Sequence, residues 1–205
     1  MLRLRSLAGA LAGVVVALTA APTLAEAETQ TAAVPSNGGF AVRAIINAGA
    51  KEIPQGVSFS LHRLNGRGEA ELAAHASGGT AEFDLPQGQY LLTTVYGAAL
   101  KQELVDADPR ANHTVNLNAG EITLSVIPGV GRPALKEEID WQILTFGRDS
   151  EGNRHVLHRV SGANPHLVLP AGWYFVAADY EGRRLTHTIE VGAGNRFDYT
   201  LVQQN

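Results

Sequence analysis

Seven histidines, twenty carboxylates and two tryptophans are the side chains of this 205-residue chain best suited to chemistry, and their spacing excludes most of it. His155 and His158 lie three apart, which on a strand places them on opposite faces and prevents joint chelation of a metal. His62, His75, His113, His166 and His187 show no paired spacing with carboxylates and read as solvated strand and loop residues. Asp106, Asp108 and the run Glu137, Glu138 and Asp140 could hold a hard cation, but no defined ligand series surrounds them. The chain has no Cys, no Gly-x-Ser-x-Gly elbow, no His-Glu-x-x-His helix and no glycine-rich phosphate loop. The expectation is a non-enzyme with no metal and no cofactor.

Three residues remain as candidates for binding. Trp173 sits next to Tyr174, which takes the inward position, so Trp173 points out of its strand and could stack on a partner chain or a sugar ring. Packing against the first half of the chain, or beneath the 147–153 loop, is the competing use of that ring. Arg132, in the stretch Pro128 to Lys136, and Arg183 lie on two connections expected at the same end of a sandwich. With Lys136 they could converge on an acidic group, while Glu137 and Glu138 dilute the field.

The elements that position these residues are read from a repeat. Leu85-Pro86-Gln87-Gly88-Gln89-Tyr90 returns as Leu169-Pro170-Ala171-Gly172-Trp173-Tyr174, 84 residues on (85 to 169). Upstream the offset is 82, matching Phe59 with Trp141 (59 to 141). This is far longer than a solenoid unit of about 20–50 residues and suits a small domain with its own core. Strand patterns dominate: Val57, Phe59 and Leu61 alternate with Ser58, Ser60 and His62, the period of a half-buried strand. Glu69 to Ala76 has helix-forming composition, but its β-like counterpart Arg154 to Val160 assigns it to a strand. Asn65 to Gly68 reads as a hairpin turn. About seven short strands per copy, in segments 40–118 and 119–205, predict two tandem antiparallel β-sandwiches.

Leu-Pro-x-Gly-x-Tyr followed by an apolar strand resembles the carboxypeptidase regulatory-like and collagen-adhesin B-type modules. The resemblance implies transthyretin-like, immunoglobulin-like seven-stranded sandwiches common in exported bacterial proteins. Some such modules carry a Lys–Asn isopeptide bond. Here the first strands, 40–46 and 121–127, hold no Lys, and Thr94 and Ala178 stand where an assisting Glu would be, so no such bond is expected.

The N-terminus reads as a signal peptide over 1–25, with Arg3 and Arg5 before an apolar stretch and cleavage near Ala25. A flexible polar leader follows over 26–39. Net charge is −4, and about −6 once Arg3 and Arg5 are removed; without a basic patch, nucleic acid is not an expected partner. Asn112-His113-Thr114 fits a glycosylation sequon. The expectation is a non-catalytic binding or structural protein of the periplasm or cell surface. Its partner would be a protein or, alternatively, an envelope polysaccharide, and no transmembrane segment remains after cleavage.

Overall fold

The computed structural model describes residues 39–64 and 69–203. The expected signal peptide, all of the leader but Gly39, and the turn at 65–68 lie outside these residues. Every regular element among the described residues is a strand. The first seven are β1 (Phe40–Ile45), β2 (Val57–Leu64), β3 (Ala70–Gly78), β4 (Thr80–Phe83), β5 (Gly88–Tyr96), β6 (Ala99–Ala107) and β7 (Asn112–Asn116). The next seven are β8 (Ala119–Ile127), β9 (Asp140–Thr145), β10 (Val156–Ser161), β11 (His166–Pro170), β12 (Gly172–Tyr180), β13 (Arg183–Val191) and β14 (Arg196–Val202).

Both sets fold the same way. A three-stranded sheet, β4-β1-β7 or β11-β8-β14, faces a four-stranded sheet, β3-β2-β5-β6 or β10-β9-β12-β13. The architecture is thus all-β, with two sandwiches of seven strands. One feature was not visible in the pattern: β1 pairs with β7, and β8 with β14, in parallel. The chain crosses between sheets, so its last strand enters beside the first in the same direction, and no two-residue hairpin is needed to join them. The helix-prone segment Ala70–Gly78 is held as an edge strand by its pairing to β2, with a register shift between Leu61 and His62. Tertiary pairing outweighs propensities of a few tenths of a kcal/mol per residue.

Each sandwich buries its own apolar cluster. Phe59, Leu61, Tyr90 and Leu92 centre the first, and Trp141, Ile122, Leu124 and Val176 the second. Phe59 and Trp141 occupy equivalent places and are 0 % and 1 % exposed. The repeated Leu-Pro-x-Gly-x-Tyr motif acquires a structural reason. The Tyr90 hydroxyl donates to the Pro86 carbonyl at 3.0 Å, and Tyr174 to Pro170 at 2.8 Å. Each ring is buried while its hydroxyl closes the turn that precedes it.

The sandwiches touch in more than one place, and the Ala119 amide donates to the Ile46 carbonyl at 2.9 Å. The Ala98 amide donates to the Val168 carbonyl at 3.0 Å, and Val168 packs into the first cluster while Ala98 borders the second. Gly97 sits at φ 59° with Val168 so close that an added Cβ would lie 3.0 Å from it. A side chain here would meet both an unfavourable backbone region and a neighbour.

Candidate functional site

Trp173 stands on β12, whose pleat turns Tyr174 into the core and Trp173 away from it. Its side is the outer face of the four-stranded sheet, and it is 51 % exposed. Phe146, immediately after β9, is 49 % exposed, and its ring centroid lies 5.9 Å from that of Trp173 at a tilt of 45°. Phe175 follows on the same face of β12, opposite buried Leu144 on β9, beyond which comes exposed Val156 on β10.

Arg154 fixes this face. Its Nη1 donates to the carbonyls of Thr145 and Gly147, at 3.0 and 3.5 Å, on either side of Phe146. The guanidinium carbon lies 4.5 Å from the Phe175 ring centroid and 5.8 Å from that of Phe146. Such cation–π contacts contribute about 0.5–1 kcal/mol at exposed sites. The loop behind is braced from within. Asp149 accepts the amides of Glu151 and Asn153 at 2.9 and 2.8 Å and lies 3.3 Å from His155. An aromatic pair held in place before contact loses little entropy on binding.

Arg132 and Arg183 lie at one concavity, an open one of about 720 Å³ lined also by Pro128, Gly129, Glu181 and Gln203. Lys136 is not among these lining residues; its amide bonds the Glu137 carboxylate instead. The Glu181 carboxylate also lines the concavity, so the surface is of mixed charge and not a simple anion site. Trp173 belongs elsewhere. It faces Glu190 across the β12–β13 pair, while Arg183 closes that hairpin against Tyr180. Seven residue steps along β13 separate the two places, about 23 Å at strand rise. The three candidates therefore form two separate surfaces.

Sequence spacing gave His113 and His166 no carboxylate partner, and the structure corrects this for both. His113 meets Glu103 at 2.9 Å, His166 meets Glu121 at 3.2 Å, and His155 meets Asp149. The first two pairs form between strands, where partners depend on register and sheet order. No group of three or more metal-ligating side chains occurs among the described residues. Phe146, Arg154 and Phe175 were missed as site residues; the spacing of Trp173 and Phe175, two apart, was the available signal. Burial raises the Tyr174 hydroxyl above the usual phenol range.

No protein family profile matches the chain, and no curated protein matches it. Among solved structures, the shaft pilin spaA of Lactobacillus rhamnosus GG is 11% identical, with 82% of this chain and 98% of that one covered at a TM-score of 0.35. The TIE protein of Bacillus anthracis is 15% identical at a TM-score of 0.32; the match covers 82% of this chain and 34% of that one, so this chain spans about a third of its length. A streptococcal ancillary pilin is 11% identical at a TM-score of 0.34, with 83% and 64% covered. The fold and the site described above rest on this chain's own strands and side chains.

Proposed function

We propose that this chain is a non-catalytic binding protein of the cell envelope that grips another protein through the outer face of its second four-stranded sheet. The observation that carries this reading is the exposed Trp173–Phe146 pair fixed by Arg154. The equivalent of Trp173 in the first sandwich is Gln89, so the fold does not demand an aromatic there. The 45° tilt between the rings, with exposed Val156 further along the same sheet face, makes a ridged apolar surface. Such a surface suits interdigitating side chains of a protein; a sugar ring stacks best on a flat platform. Residence in the periplasm or at the cell surface follows from the expected signal peptide and is checked by cell fractionation.

The test compares the chain with its Trp173→Gln variant in capture from envelope protein extracts and on insoluble envelope polysaccharide. Loss of specific protein capture at an unchanged melting temperature supports the reading. Capture that survives the substitution refutes it, as does a melting temperature that falls by several degrees. Binding confined to polysaccharide and lost with Trp173 transfers the face to a carbohydrate ligand.

A further inference from the structure

We propose that two copies of this chain associate edge to edge through β6, joining their four-stranded sheets into one antiparallel sheet. β6 is the outermost strand of its sheet. Its hairpin with β5 fixes where its backbone points. Tyr96 and Ala99 flank a two-residue turn with Gly97 at φ 59°, and such a closing pair exchanges both hydrogen bonds. The amide and carbonyl of Ala99 therefore face β5. With period two, those of Leu100, Gln102, Leu104 and Asp106 face away from the sheet, free to pair with another strand.

The side chains on this edge are unusual for an open strand. Leu104 lies opposite Leu91 and Leu100 opposite Val95 on the outer face, and the two leucines are 56 % and 57 % exposed. Edge strands are normally guarded by charge, proline or bulges. The second sandwich follows that rule, with Arg184 and Thr188 at the equivalent places on its edge strand β13. The fold accepts polar residues there, so the leucines of β6 are not a requirement of folding. β6 does carry charge, at Lys101, Glu103 and Asp106, but its two exposed leucines on the outer face leave apolar surface that a partner strand would cover.

The partner that fits is a second copy, because β6 complements itself. A two-fold axis through Gln102 sets Leu100 against Leu104 of the other copy and Lys101 against its Glu103, each pair occurring twice. His113 already holds the Glu103 carboxylate, at 2.9 Å. Sliding the axis to Glu103 would oppose two carboxylates and set Leu100 against Asp106. Sliding it to Lys101 would oppose two ammonium groups. The Gln102 register alone among the three avoids like charges, and it matches the residues whose amides point outward.

Sedimentation velocity over a concentration series, with hydrogen exchange, tests this. The expected result is a reversible dimer in which the amides of Leu100, Gln102 and Leu104 gain protection as concentration rises. The double variant Leu100→Arg, Leu104→Thr carries the second sandwich's residues and should be monomeric with unchanged circular dichroism. Lys101→Glu should weaken the dimer about tenfold, by replacing attraction with repulsion at two places, and adding Glu103→Lys should restore it. A chain monomeric at every concentration overturns the proposal. So does a dimer in which those three amides exchange freely, a readout that stands even where a variant fails to fold. Failure of the charge swap to restore association, at an unchanged melting temperature, overturns the register.

Discussion

Replacing Trp141 with Ala should destabilise the second sandwich by about 3–5 kcal/mol, the range of large aromatic truncations in cores. The ring is 1 % exposed within the cluster formed by Ile122, Leu124, Ile139 and Val176. A buried aromatic removes about 150–250 Å² from water; at about 25 cal/mol per Å² this gives about 4–6 kcal/mol as an upper bound. The indole Nε1 also donates to the Gly162 carbonyl at 2.9 Å. Trp141→Phe isolates that bond, because Phe59 fills the same place in the first sandwich and the fold accepts the smaller ring. It should cost about 1–2 kcal/mol, from the lost hydrogen bond and the reduced volume. Urea unfolding followed by circular dichroism reads both, with the slope checked for constancy. A Trp141→Ala loss under about 1 kcal/mol would refute the burial argument. A Trp141→Phe loss as large as that of Ala would refute the equivalence of the two sites.

The remaining predictions concern the repeated corner and the junction. Tyr174 is raised by burial, so at alkaline pH the unfolded chain releases this proton before the folded one does. Stability is retained below the ordinary phenol value of about 10 and lost as pH rises from there through the folded value. Tyr174→Phe should lose about 1 kcal/mol at neutral pH, with the Pro170 bond, and should show a smaller alkaline decline in melting temperature; an identical decline would reject the assignment. A fragment of residues 119–205 should fold alone as a β-rich species, because its cluster lies mostly within its own seven strands. A disordered circular dichroism spectrum would show instead that the halves share one core, through Val168 and Ala98.

Within one strand, the sequence carries enough information to be read directly. Alternation of Val57, Phe59 and Leu61 with polar neighbours reports a half-buried strand because successive side chains leave opposite faces. The repeat then assigned even the helix-prone segment 69–76, and the contrast of Trp173 with Tyr174 placed one ring outward and one inward. Arg132 and Arg183 line one concavity, because connections at one end of a sandwich are neighbours in any register.

What lies between strands was decided only in three dimensions. Phe146 beside Trp173, Arg154 across Phe175, and the bridge from His113 to Glu103 each depend on strand order and pairing register, which no local pattern encodes. The separation of Trp173 from Arg183 follows from one fact about β12 and β13: their antiparallel hairpin sends the two residues to opposite ends. The corner motif shows both levels at once. Leu-Pro-x-Gly-x-Tyr marks a turn and a core anchor in the sequence. Folding carries the hydroxyl of Tyr90 or Tyr174 back to the carbonyl of the proline four residues earlier, because burying the ring obliges the polar tip to find a partner.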